Sequence, residues 1–163
     1  MIFVTVGTHE QPFNRLVKHM DLYQRDHNEE KVVIQTGYSD YQCEFAEGHK
    51  FLSFQEMDEY ITKADVIITH GGPSSFLAVI EKEKAVIVVP REFKYGEHVN
   101  NHQVDFLKKI SELYSQIIPV YNIIDLDKYI KKLKTNRGKK IVFHSNNDIF
   151  NTEMSDLLKK LLN

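Results

Sequence analysis

The apolar positions change their period at intervals along the chain. Ile2-Phe3-Val4-Thr5-Val6 is a run of strand length, and Phe13, Leu16, Val17 and Met20 then recur at helical spacing, with Pro12 suited to a first turn. Val32-Val33-Ile34 is a second β-rich run, closed by Gln35-Thr36-Gly37. After an irregular stretch, Phe51-Leu52 reads as a short strand and Met57, Tyr60 and Ile61 predict a short helix. Asp65 to Thr69 is the next strand, Pro73 to Lys82 a helix and Ala85 to Val89 another strand. Val99, Gln103, Phe106, Leu107 and Ile110 mark a further helix, followed by a strand near Gln116 to Val120. Two terminal helices are expected near Asp125 to Lys134 and Asn151 to Leu162.

Continuously apolar strands that alternate with helices imply a parallel sheet covered on both faces. The expected architecture is therefore α/β: a doubly wound, mostly parallel, Rossmann-like sheet. With no repeat, low-complexity stretch or Pro/Gly-rich linker, residues 1–163 form one domain. Right-handed crossovers gather the loops after the strands at one sheet edge, where open α/β sheets bind ligands. The segments landing there are Gly7 to Glu10, Thr36 to Tyr38, Ser53-Phe54, Thr69 to Ser75 and Arg91 to Glu97. They are rich in Gly, His, Ser, Thr and charge.

Composition narrows the function classes. The 21 basic and 23 acidic residues nearly balance, so no nucleic-acid footprint covers the chain. Cys43, the single cysteine, excludes an internal disulfide and a CxxC pair, which fits a reducing cytoplasm. Met1 leads straight into the first apolar run, as a strand would and a signal peptide would not. No apolar run approaches the roughly 20 residues needed to span a bilayer.

The stretch THGGPSS, Thr69 to Ser75, joins a strand to a helix. Glycines allow close backbone approach, Pro73 fits a first helical turn, and Ser74 and Ser75 bring hydroxyls and N–H groups to the positive helix end. That is an anion site, most naturally for phosphate, and His70 can donate to a phosphate oxygen. Taken alone, the stretch is equally consistent with an ordinary turn rich in Gly, Pro and Ser. Gly7-Thr8 is a weaker version of the same signal. The GxGxxG fingerprint and the GxxxxGK[ST] loop are both absent, which argues against nicotinamide enzymes and P-loop NTPases. His98 and His102 stand at i, i+4, but no third ligand is evident and HExxH is missing, so no metal is expected. From Pro90 to Gln103, Glu97, His98, Asn101 and Gln103 crowd a helix start. Carboxylate, amide and imidazole together suit a polyol, and a capped amphipathic helix with a wet face is the plainer alternative. Beside a phosphate site, the joint reading is a nucleotide-sugar.

TVGTHEQPFNRL, ADVIITHGGPSS and VVPREFKYGEHVNNHQ, in that order within residues 1–120, resemble the C-terminal domain of glycosyltransferase family 28. They resemble more closely the small bacterial exopolysaccharide and capsule glycosyltransferases that carry only this donor half. The resemblance implies a GT-B architecture split over two chains. One binds a UDP-sugar, and a membrane-associated partner subunit brings a sugar acceptor linked to polyprenyl diphosphate. The resemblance further implies transfer that inverts the anomeric centre without metal or other cofactor. It places the diphosphate on His70, Gly71, Gly72, Ser74 and Ser75, with Thr8 facing them. Glu97 and His98 hold the donor sugar, Asn101 and Gln103 support them, and Arg91 or Lys94 can pair with a uronate carboxylate. Uracil is expected at Ser53 and Phe54.

One departure concerns the ribose. Many relatives carry a ribose-gripping glutamate on the helix after the glycine loop, whereas here Phe76-Leu77-Ala78-Val79 has no acid before Glu81. The general base is His9 or Glu10, or equally a residue of the partner. The preferred reaction is β-1,4-galactosyl transfer to a lipid-linked glucose, with glucuronate or N-acetylglucosamine as the alternative donor sugar, at the cytoplasmic face of the membrane. A non-catalytic nucleotide-sugar-binding or activating subunit is the second reading, and a flavodoxin-like interaction module the third. Phe150, Met154, Leu157, Leu158, Leu161 and Leu162 form an apolar stripe, so that residues 147–163 either dock the partner or cover this domain's own core.

Overall fold

Four strands are buried at every position: β1 (Ile2–Thr5), β2 (Val32–Gln35), β4 (Val66–His70) and β5 (Val86–Val89). Two shorter strands, β3 (Glu47–His49) and β6 (Ile117–Pro119), complete a six-stranded sheet in the order β3-β2-β1-β4-β5-β6, every pairing parallel. The structure, a computed structural model, describes residues 1–135.

Period-2 alternation explains how both faces are covered. Ile2, Val4, Ile34, Ile68 and Ile87 point to one face, against α1 (Asn14–Asp26) and α5 (Leu126–Thr135). Phe3, Val33, Ile67 and Val88 point to the other, against α2 (Phe54–Lys63), α3 (Pro73–Ile80) and α4 (His102–Leu113). This is the doubly wound Rossmann-like order. From β1 the strand order runs outward to β2 and β3 on one side and to β4, β5 and β6 on the other, and this switch opens a crevice at the carboxyl ends of β1 and β4.

Three expectations need correction. The strand expected at Phe51-Leu52 lies earlier, at Glu47–His49, with Val33 opposite Glu47 and Gln35 opposite His49. An edge strand needs no continuous apolar run, which is why the hydrophobic signal misplaced it. Pro12 is not in a first helical turn, because α1 starts at Asn14. The helix expected from Val99 starts at His102, with Val99 65% exposed in the preceding loop. There the Asn101 side-chain oxygen accepts from the Phe93 N–H and that of Asn100 from the His102 N–H, turns that compete with helix. The helix expected over 151–162 lies outside the described residues.

Two polar anchors fix the connections. Asp21 of α1 is fully buried, and its carboxylate accepts from the Glu44, Phe45 and Ala46 N–H groups and from the Tyr41 hydroxyl. Burial works against that charge, but the four donors together outweigh it and hold the carboxyl below its ordinary pKa. Lys84 donates to the carbonyls of Ile61, Thr62 and Ala64 and so satisfies the last turn of α2.

Candidate functional site

The crevice between β1 and β4 is an open cleft of about 880 Å³. Its floor is made where two apolar strands end on polar residues. Thr5 and Gln35 are register partners, and the Thr5 hydroxyl donates to the Gln35 side-chain oxygen (3.0 Å) while accepting from the Gly7 N–H (3.2 Å). Leu52, Phe54, Met57 and Ile61 form an apolar wall, and Ser74, Ser75, Ala78, Glu81 and Lys82 the opposite side along α3.

At the centre stands His70, 8% exposed at the end of β4. The Gly72 N–H donates to its Nδ1 (2.9 Å), and its Nε2 meets the Ser75 hydroxyl oxygen (2.9 Å). A backbone N–H can only donate, so Nδ1 is the acceptor and the neutral ring carries its hydrogen on Nε2. Burial, together with the charge of Arg91 and with His9 and His98, pushes the ring's pKa down to about 3. His70 is therefore neutral at pH 7. A Cβ on Gly7 or on Gly72 would run into this ring, so both glycines make room for His70 whether or not a ligand is present. Gly7 in addition has φ +73°, which favours glycine.

The same local geometry recurs beside it. The Gln11 N–H donates to His9 Nδ1 (3.2 Å) and the Asn100 N–H to His98 Nδ1 (3.4 Å), and the two rings lie 4.7 Å apart. With Nδ1 accepting from a backbone N–H, each ring turns an N–H, not a lone pair, away from its own loop. Burial, then His9, lowers the pKa of His98.

The remaining candidates are distributed as follows. Thr8, His9, Phe54, His70, Gly72, Ser74, Ser75 and Gln103 all line the cleft, whereas Glu10, Ser53, Gly71, Arg91, Glu97, His98 and Asn101 do not. The Gln103 amide oxygen accepts from both the Gly71 N–H (3.1 Å) and the Arg91 N–H (3.0 Å), which ties the β4 and β5 loops together. Ser53 caps α2 in a reciprocal pair with Glu56, while Phe54 next to it is 89% exposed. Glu97, 3% exposed, is gripped by both Nε (2.9 Å) and Nη2 (2.8 Å) of Arg15. Arg91 is fully buried, and its guanidinium donates to the carbonyls of Val6 (2.8 Å), Gln11 (2.7 Å) and Glu97 (3.1 Å). Among the described residues, no three His, Cys, Asp or Glu groups are arranged to hold a metal ion.

Sequence reasoning missed Thr5, Gln35 and Arg15. The first two carried a signal, since each is the polar last residue of an apolar strand at the ligand-binding edge. Arg15 carried none, because its partner Glu97 is 82 residues away.

The sequence profile of the glycosyltransferase family 28 C-terminal domain matches residues 1–161. Among solved structures, the chain is similar to the glycosyltransferase SnogD from Streptomyces nogalater, with 16% identity and a TM-score of 0.46 over 73% of this chain. The similarity spans 30% of SnogD. No curated protein matches. Among the described residues, no helix is long and apolar enough to cross a membrane.

Proposed function

Since the chain belongs to the glycosyltransferase family 28 C-terminal domain, we propose that it is the donor-binding part of an inverting UDP-sugar glycosyltransferase. The observation that carries this reading is the cleft at the β1/β4 switch point, with the α3 N-terminus and the Ser74 and Ser75 hydroxyls on one side and Thr8 on the other. A diphosphate there meets a helix dipole and neutral donors without needing a metal ion. The exposed Phe54 ring, with Leu52 and Met57, offers an apolar face to the uracil. Glu81 lines the cleft one turn beyond Ala78, and so supplies the carboxylate for the ribose hydroxyls.

With Glu97 held by Arg15 and Arg91 turned to backbone carbonyls, the donor sugar is left to Thr8, His9 and Gln103 at the mouth. His9 presents an N–H and serves as a donor, which assigns the general base to the acceptor-binding half. That half is a membrane-associated partner subunit, and the acceptor a sugar on a lipid diphosphate at the cytoplasmic face. Galactose in a β-1,4 bond is the specific form proposed, on the resemblance alone.

Calorimetric titration of the purified chain with UDP, against ADP as control, tests the reading. Selective UDP binding that falls about tenfold in Phe54→Ala and in Glu81→Gln is the expected result. Equal binding of UDP and ADP would overturn the uridine assignment, and binding of neither the donor reading. Gly72→Val is uninformative, because its side chain meets the His70 ring with or without a ligand.

A further inference from the structure

His70 lies at the centre of the cleft, yet both of its ring nitrogens are already committed inside the protein. Nδ1 is held by the Gly72 N–H, and Nε2 lies 2.9 Å from Ser75 Oγ. These two contacts fix the direction of every hydrogen between them. Gly72 can only donate, so the neutral ring can donate only through Nε2, and Ser75 Oγ receives that hydrogen. A hydroxyl has one hydrogen, and when its oxygen is already accepting from one side that hydrogen points elsewhere. Ser75 stands in the first turn of α3 on the cleft wall, so its open side is the ligand side.

We propose that His70 is a positioning residue that does not touch the ligand. It acts through Ser75, compelling that hydroxyl to present its hydrogen to an anionic oxygen of the nucleotide's diphosphate.

A free serine hydroxyl rotates among three staggered positions and can offer a lone pair as readily as a hydrogen. Facing an anion, a lone pair repels. With His70 in place, the donor orientation exists before the ligand arrives, so binding does not have to select it. The arrangement also requires the ring to be neutral, because a proton on Nδ1 would face the Gly72 N–H. The deep burial of the ring and the nearby Arg91 charge maintain that state around neutral pH. The glycines on both sides then have a reason independent of phosphate, since they make the slot in which this ring fits.

The inference rests on the reading of the cleft as a diphosphate site, and the experiment separates the two. In the unliganded protein, long-range ¹H–¹⁵N spectra read the His70 tautomer directly. A single Nε2–H form from pH 5 to pH 8, with an Nε2 signal that moves in Ser75→Ala, is expected. An Nδ1–H form, or titration of the ring near pH 6.5, overturns the inference whatever the ligand does. UDP titrations of the parent chain, His70→Gln, Ser75→Ala and the double variant form the second arm. Ser75→Ala is expected to lose about ten- to a hundredfold in affinity. His70→Gln retains one acceptor and one donor and is expected to lose less. The double variant is expected to bind no more weakly than Ser75→Ala alone, since a residue that acts only through Ser75 has nothing left to act on. Losses that multiply mean that His70 touches the diphosphate itself, and overturn the inference while leaving the donor cleft intact. Should His70→Gln fail to fold, the shift of the His70 signal in Ser75→Ala decides alone. A parent chain that binds no UDP overturns the donor-cleft reading, and this inference with it.

Discussion

His70 couples the site to the stability of the domain. Its pKa in the folded chain, about 3, lies well below the value near 6.5 of an unfolded histidine, because burial disfavours the charged ring. Between those two values the unfolded chain binds a proton that the folded chain refuses. Stability is therefore fully present above pH 6.5 and falls as the pH drops, by at most about 1.4 kcal/mol per pH unit for this one group. His98, lowered by burial and by His9, acts in the same direction. Asp21 acts lower down, since a carboxylate held below its ordinary value gives up its contribution only as the pH falls below about 4. Urea unfolding at pH 7, 6 and 5 should show the parent chain weakening steadily and His70→Gln with a shallower slope, and equal slopes would contradict a neutral buried ring. Cys43 gives a second residue-scale prediction. Burial, assisted by Asp21, pushes its thiol up to about 11. At pH 8 its alkylation should then run about a hundredfold slower in the folded chain than in urea, in proportion to the thiolate available.

Among the elements, the connection between β2 and β3 depends on one side chain. Residues 40–46 contain no regular structure and return to the sheet because Asp21 collects three successive N–H groups and the Tyr41 hydroxyl. Asp21→Asn puts an amide where four donors converge, and the lost charge-assisted bonds should cost about 3 kcal/mol. Tyr41→Phe removes one of them and should cost about 1 kcal/mol, so the ratio of the two losses in urea titrations checks the arrangement. Elements of this kind mark the limit of what the sequence discloses. The buried strands and the helices α1, α3 and α5 could be read from apolar spacing, because each meets the core with a repeating face. Asp21 could not, since it sits between Met20 and Leu22 in an amphipathic helix and its partners are twenty or more positions further on. β3 was misplaced for the converse reason, as a half-exposed edge strand of Glu, Gly and His has no apolar period to read. The cleft was partly legible, because Gly, His, Pro and Ser at a strand end point to that edge. The same letters do not say which way a ring faces, so the roles of Gly7, Gly72 and His70 toward one another are set by the fold and not by their spacing.

At the scale of the whole molecule, the cleft lies where two halves of the sheet meet, β3-β2-β1 on one side and β4-β5-β6 on the other. Backbone pairing of β1 with β4 joins them below the cleft. Above it, the join is made by two arginines crossing in opposite directions. Arg91 leaves the end of β5 and donates to the carbonyls of Val6 and Gln11 in the β1 loop, while Arg15 leaves α1 and donates to Glu97 and to the Pro90 carbonyl in the β5 loop. The flat guanidinium fork suits this work, because one group reaches carbonyls in two directions at once, whereas an ammonium on a flexible stem does not. Arg91→Lys keeps the charge and loses the fork. With several buried carbonyls left without donors, the domain should lose about 3 kcal/mol in urea unfolding. The two loops should also be free to move relative to each other, and a ligand must then order what Arg91 had already ordered. UDP affinity should accordingly fall about tenfold at a temperature where the variant is fully folded, although Arg91 does not line the cleft. A variant that is less stable but binds UDP as tightly as the parent would show that the crossing arginines serve the fold alone, and that the cleft owes its shape to the β1–β4 pairing beneath it.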